Sequence, residues 1–156
     1  MKLILGLFGI LLLIVIIGTY SKGFLFGKLG FNSPTATIDK QTYNLTEAKT
    51  QSELETGLSK TQSLPQNSAM VFLFPKKDTY SFWMKNMKFP IDIIYISNNK
   101  IIKIFPNLQP PPSGVADNQI PTVTPPSPAD TVLEINAGQS SKYGFKAGDN
   151  VTFKNL

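Results

Sequence analysis

The stretch IDIIYISNNKIIKIF, residues 91–105, has the pattern of a β-hairpin. Its first part, Ile91–Ile96, is rich in β-branched residues, which favour strands, and Lys100–Phe105 repeats that character. Between them stands the pair Asn98-Asn99, which tolerates the positive φ angles of a two-residue turn. We therefore predict two antiparallel strands at the centre of a β-rich domain.

Further strand candidates lie on both sides of this hairpin. They are Thr35–Ile38, Thr42–Ala48, Met70–Phe74, Thr79–Lys85, Thr131–Ile135 and Val151–Phe153. The run Met70–Phe74 is apolar throughout, and we expect Pro75 to end it because proline cannot donate a ladder hydrogen bond. The order of the central segments predicts a meander.

Helical signals are sparse. The sequence Thr50-Gln51-Ser52-Glu53 is a capping box, and it places Leu54 and Leu58 on one face of a short helix. Gly57 indicates close packing or an early helix end. One further helical turn is predicted at Gln139–Tyr143. We therefore predict a mainly β (α+β) fold, a compact β-sandwich or barrel-like domain at residues 35–156 with one short helix.

Two segments differ from this domain in composition. Residues 106–130 contain eight prolines and no apolar periodicity, which predicts a polyproline II or disordered loop. Residues 1–21 contain the apolar run Leu3–Ile17, broken only by Gly6 and Gly9, whose continuation to Tyr20 as a helix would be ~27 Å long and would span a thin bilayer. Residues 22–34 form a linker between this segment and the domain.

The N-terminal segment is either a transmembrane anchor or a cleaved signal peptide. We favour the anchor, because Gly18-Thr19-Tyr20-Ser21 is a poor match to a small-x-small cleavage site. The prediction is a single-pass membrane protein that contacts lipid through this helix and presents its domain outside the cytoplasm. The lysines that flank the helix are too evenly divided to set the orientation.

Composition excludes several classes of chemistry. The 156 residues include no Cys, no His and no Arg, and all 15 basic residues are Lys. A thiol nucleophile, a zinc–thiolate site and a histidine base are therefore ruled out, and we predict no cofactor and no metal site. Beyond residue 28, twelve Lys face ten acidic residues, a net +2, so nucleic acid is not a predicted partner.

The densest group of chemically interesting residues is Tyr80–Asn86. Within it, Trp83, Lys85 and Asn86 are candidate binding residues, because an aromatic face can stack on sugars or planar groups. The alternative is that Trp83 packs in the core and Lys85 is solvated. The pair Ser81 and Lys85 is one residue longer than the S-x-x-K spacing of Ser–Lys enzymes, so it is a weak nucleophile candidate.

Two carboxylates stand among apolar strand residues. Asp92 and Glu134 are candidate binding residues, because a buried carboxylate must find partners or its pKa rises. We expect Asp92 to accept hydrogen bonds from the loop that contains Lys85 and Asn86. The two carboxylates would make an acid–base pair if the fold brought them together.

Several strings resemble those of one known family. They are Met70–Pro75, Ser81–Asn86 with the sequence S-F-W-M-K-N, Pro90–Tyr95, Pro128–Glu134, Glu53–Leu58, Ala137-Gly138 and Gly148-Asp149. The chain thus resembles the domain-of-unknown-function family 192. The resemblance implies a compact β-sandwich or barrel-like fold with a short helix, often after an export signal, and no established activity. Ser59, Met87 and the absence of Arg depart from the family pattern.

The sequence is consistent with three functions. The first is a binding or envelope accessory module, with Trp83, Lys85 and Asn86 as its surface and the Pro-rich loop as a lid, for an envelope polymer or a protein. The second is a carboxylate-dependent hydrolase that uses Asp92 with Glu134 or Lys85. The third is a structural envelope protein. Because the acid–base pattern is weak, an enzyme is the less favoured class.

Overall fold

A computed structural model describes residues 33–156. The predicted anchor at residues 1–21 and almost all of the linker at residues 22–34 lie outside the described residues. Within residues 33–156, no helix has the length and apolar character needed to cross a bilayer.

The described part of the chain is mainly β. Its strands are β1 Thr35–Ile38, β2 Gln41–Ala48, β3 Ser68–Asp78, β4 Phe82–Trp83, β5 Ile91–Ser97, β6 Lys100–Leu108, β7 Thr122–Val123, β8 Ala129–Asn136 and β9 Val151–Lys154. Its helices are α1 Gln51–Thr56 and α2 Gln139–Tyr143, with 3₁₀ turns at Gly57–Lys60 and Asp117–Gln119. The mainly β class, the capping box and the predicted turn at Gln139–Tyr143 are confirmed.

Seven strands form one sheet in the order β6-β5-β8-β3-β2-β1-β9. All neighbours are antiparallel except β2 and β3. The two edge strands approach each other at a bridge between Lys100 and Asn150, where the Ile101 N–H donates to the Asp149 carbonyl at 2.9 Å. The sheet is therefore curled into a half-barrel, so the barrel-like alternative describes it.

The predicted hairpin at residues 91–105 is present. Strands β5 and β6 pair through Ser97 and Lys100, and Asn98 and Asn99 have φ angles of 52° and 59°. The predicted meander is wrong, since β8 lies between β5 and β3. The physical reason is burial: Val132 and Leu133 of β8 are buried on opposite faces of the sheet, so β8 needs a central position.

Two strand boundaries differ from the prediction. Pro75 does not end β3, which continues to Asp78, because the pairing with β8 is irregular between Leu73 and Asp78 and needs no proline N–H there. The predicted strand Thr79–Lys85 contracts to the two residues of β4, since β4 pairs only with the short β7.

The Pro-rich segment is ordered rather than a disordered loop. Strand β7 pairs with β4, so that Phe82 faces Val123 and Trp83 faces Thr122. The Met84 N–H also donates to the Pro121 carbonyl at 3.0 Å. These backbone contacts hold the segment against the residues that precede β5.

Apolar side chains cover both faces of the sheet. The inner face of the half-barrel is filled by a cluster that includes Tyr43, Ile94 and Leu133. The outer face carries a second cluster around Phe72 and Tyr95, covered by α1 and by Tyr80–Met87. The gap between these two covers is where the candidate site lies.

Candidate functional site

A cavity of about 250 Å³ opens on the outer face of the sheet. One side is formed by the end of α1 and the following 3₁₀ turn, and the other by Tyr80–Met87. The lining residues are Leu54, Glu55, Thr56, Gly57, Leu58, Phe72, Phe74, Tyr80, Ser81, Phe82, Trp83, Lys85, Met87 and Glu134. Three of the predicted binding residues, Trp83, Lys85 and Glu134, thus meet in one pocket.

Glu134 lies in the floor of this pocket, on the central strand β8. Its side chain is 4% exposed, and its Oε2 atom has no hydrogen-bond partner among residues 33–156. Burial raises the pKa of the Glu134 carboxyl to about 8, and the backbone of Leu58 acts in the opposite direction. The neutral carboxylic acid is therefore the main form near neutral pH, and it retains hydrogen-bonding capacity directed into a cavity.

Gly57 allows the backbone to approach this carboxyl. Its φ of 51° and ψ of −135° lie in a region that favours glycine. A Cβ atom at this position would lie 3.3 Å from Phe72 Cζ and 3.4 Å from Glu134 Oε2. The close packing inferred for Gly57 from the sequence is therefore present, and its partner is the pocket floor.

We expect Gly57→Ala to destabilise the domain by about 2 kcal/mol, because the new methyl group adds a tight contact to an unfavourable backbone conformation. Urea unfolding measures this loss. Gly144→Ala is the matched control, since Gly144 also has a positive φ of 72° but nothing lies within 4 Å of its Cβ position. Equal losses in the two variants would contradict the packing role of Gly57.

The aromatic wall of the pocket was not predicted. Phe74 and Tyr80 stack with ring centroids 3.6 Å apart, and the Tyr80 hydroxyl donates to the Lys76 carbonyl at 2.6 Å. Phe72 and Phe82 meet edge to face at 4.9 Å. The only sequence signal for this wall was the high aromatic density of residues 72–83.

Trp83 stands at the edge of the pocket and is 46% exposed, so it is not a core residue. The Lys85 ammonium lies 4.9 Å from the centre of the Trp83 ring, within cation–π range, and forms an ion pair with Asp117 of the Pro-rich segment. Asn86 is exposed, with a φ of 61°, in the turn that follows Lys85. It does not line the cavity itself.

The Pro-rich segment supports the pocket wall from behind instead of covering its mouth. None of residues 106–130 lines the cavity. The segment holds the wall through the β4–β7 pairing and through the hydroxyls of Ser81 and Thr124, which are 2.7 Å apart. The Pro-rich segment therefore contacts the pocket wall in this structure and does not act as the predicted lid.

Asp92 does not line this pocket. It is fully buried and accepts four hydrogen bonds: from the N–H groups of Asn107 (2.8 Å), Gly138 (2.9 Å) and Ser140 (2.8 Å), and from the Ser140 hydroxyl (2.6 Å). The prediction that it holds the loop of Lys85 and Asn86 is wrong. Its side chain points to the inner face of the half-barrel, whereas that loop covers the outer face.

The two buried carboxylates do not form a pair. Asp92 is opposite Ile135 on β8, and Glu134 is opposite Ile93 on β5, so their side chains project from opposite faces of the sheet. Asp92 is also saturated by its four donors. The arrangement therefore provides a binding pocket with one neutral carboxyl, and no acid–base pair with Asp92.

These features define a small half-barrel domain with a carboxyl-floored pocket on the outer face of its sheet. The chain belongs to the DUF192 family, described as an uncharacterized ACR, whose model matches residues 34–153. The family resemblance deduced from the F-W-M-K-N motif is thereby confirmed.

Two solved structures are similar to this chain. A protein of unknown function from Novosphingobium aromaticivorans DSM 12444 is 28% identical, with a TM-score of 0.64, over 76% of this chain and 82% of its own. A proposed transcription regulator from Sinorhizobium meliloti 1021 is 25% identical, with a TM-score of 0.65, over 80% of this chain and 96% of its own. No curated protein matches the chain.

Proposed function

We propose that this protein is a membrane-anchored binding module of the cell envelope, and that the pocket between Glu134 and Trp83 is its ligand site. The observation that carries the proposal is the buried, unpartnered Oε2 atom of Glu134 at the floor of an open, aromatic-lined cavity. Buried polar atoms in native proteins are nearly always paired. An unpaired one in the lining of a cavity is a place where a ligand or an ordered water supplies the missing partner.

Binding is favoured over hydrolysis by the position of the ionisable groups. A two-carboxylate hydrolase needs both groups to face one substrate site, but Asp92 and Glu134 are on opposite faces of the sheet. The remaining candidate base, Lys85, is engaged by Asp117. The pocket therefore supports recognition better than acid–base chemistry.

The envelope location rests on the N-terminal sequence. The apolar run Leu3–Ile17 has the composition of a membrane-spanning helix, and no A-x-A-like cleavage site follows it. Anchoring would concentrate the pocket at the membrane surface. An envelope polymer or protein would then encounter the exposed Trp83 ring.

The relative from Sinorhizobium meliloti is described as a proposed transcription regulator. We do not extend that role to this chain. Twelve Lys against ten acidic residues beyond residue 28, with no Arg, is a small positive charge for a nucleic-acid-binding domain.

Intrinsic fluorescence tests the proposed site, because Trp83 is the only tryptophan in the chain. In a screen of small neutral and charged compounds with residues 33–156, we expect the binders to change the Trp83 emission. Phe74→Ala, in the pocket wall, should weaken those responses at least about fivefold.

Tyr143→Ala is the matched control, since Tyr143 is an exposed aromatic residue that does not line this pocket. It should leave the responses unchanged. The proposal fails if no compound alters Trp83 emission, or if Tyr143→Ala weakens binding as much as Phe74→Ala does.

A further inference from the structure

We infer that the ligand carries an ammonium group, which the aromatic wall surrounds and which the Glu134 carboxylate neutralises. This inference rests on the proposed function, because it names the chemical class that the same pocket receives. It follows from three observations: the aromatic lining, the excess of acidic groups, and the size of the cavity.

The lining matches the known chemistry of cation recognition. Five aromatic side chains face one small space, and aromatic faces attract ammonium groups, most of all when water is excluded. They are Phe72, Phe74, Tyr80, Phe82 and Trp83. The Trp83 face already attracts a cation of this chain, the Lys85 ammonium at 4.9 Å from the ring centre. A ligand cation deeper in the cavity would meet the same kind of surface.

The charges around the pocket favour a cation over an anion. Glu55 and Glu134 line the cavity, and Asp117 forms an ion pair with the lining residue Lys85 without lining the cavity itself. Lys85 is thus the only cationic side chain among the lining residues, and its charge is matched by Asp117. An anion would meet no free positive charge, whereas an ammonium group would meet the Glu134 oxygen that has no other partner.

The volume limits what enters. A cavity of about 250 Å³ is below the usual range for drug-sized ligands. It suits a head group, such as a primary or trimethylated ammonium, with the rest of the ligand outside near Trp83. This size is compatible with a larger envelope molecule that inserts only its ammonium end.

Cation binding requires Glu134 to lose its proton to solvent. Below pH 8 the carboxyl is mainly protonated, so the apparent affinity for an ammonium should rise about tenfold for each pH unit up to that point. The other ionisable groups that face Glu134 are Tyr95 from β5, Glu55 from α1 and Lys85 from the opposite wall. Burial raises the pKa of Tyr95 further from this range, so Glu134 is the group that produces the slope.

The experiment compares choline with 3,3-dimethyl-1-butanol, its uncharged isostere, by Trp83 emission and by NMR of the full chain in detergent micelles between pH 6 and pH 9. We expect choline to bind at millimolar concentrations, to bind at least tenfold more tightly than the isostere at high pH, and to gain affinity with pH. Glu134→Gln, which preserves shape, should abolish the preference for choline and the pH slope.

Lys85→Gln provides a second, independent variant. Because Lys85 lines the pocket, removal of its positive charge should strengthen choline binding, whereas it would weaken the binding of an anion. If the isostere binds as tightly as choline, the ammonium inference is wrong while the pocket remains a binding site. If neither compound binds, the ammonium inference is also wrong. The broader compound screen then shows whether the pocket binds any other ligand.

Discussion

Asp92→Ala is expected to destabilise the domain by at least about 4 kcal/mol, a large part of the stability of a domain of this size. The four hydrogen bonds to the Asp92 carboxylate join β5 to the Asn107 backbone and to the start of α2 at Gly138 and Ser140. A hydrogen bond to a charged group contributes about 1.5–3 kcal/mol, and the donors left behind would be buried without a partner.

Urea unfolding, followed by circular dichroism, measures this loss. Asp92→Asn should cost less, about 2 kcal/mol, because the amide oxygen still accepts while the amide nitrogen faces a donor. Asp117→Ala is the matched control: its side chain is 65% exposed, and it should change the stability by less than about 1 kcal/mol. If Asp92→Ala unfolds at the wild-type urea concentration, the four hydrogen bonds to Asp92 do not stabilise the domain.

Glu134→Gln is expected to remove most of the pH dependence of stability between pH 5 and pH 8. In the folded protein burial raises the pKa of Glu134 to about 8, from an ordinary glutamate value of 4.5. Below pH 4.5 both states hold the proton and ionisation carries no penalty. As pH rises from 4.5 to 8 the unfolded chain releases this proton first, so the free energy of unfolding falls by about 4 kcal/mol in total.

The Gln side chain cannot ionise, so the variant should show an almost flat profile over the same range and should exceed the wild type in stability at pH 8. The chain contains no His, so few other groups titrate in this window. Urea unfolding at half-unit pH steps gives both profiles. Parallel profiles for wild type and variant would show that Glu134 is ionised normally in the folded state.

The features of the fold that were predicted correctly depend on short stretches of sequence. The β5–β6 hairpin could be predicted from the sequence because its turn depends only on Asn98-Asn99. The helix α1 was readable from its capping box, and Gly57 from its position at the helix end. Each of these signals lies within a few residues of the structure it predicts.

The site could be predicted only in part, because it is assembled from distant segments. Glu134 was recognisable as an unusual strand carboxylate, but its place beside Trp83 depends on the insertion of β8 between β3 and β5. The wall containing Ser81 is held by Thr124, 43 residues later. Asp92 was assigned to the wrong partners for the same reason, since Gly138 and Ser140 follow it by 46 and 48 residues.

The proposed function requires Glu134 to be a buried carboxyl, neutral in the free protein, that pairs with a ligand in the outer-face pocket. The most direct test is a ¹³C NMR titration of the Glu134 side-chain carboxyl, recorded with and without choline. We predict a midpoint near pH 8 in the free protein, which choline shifts to lower pH. A midpoint near the ordinary glutamate value in the free protein, or one that no pocket ligand moves, would contradict the account.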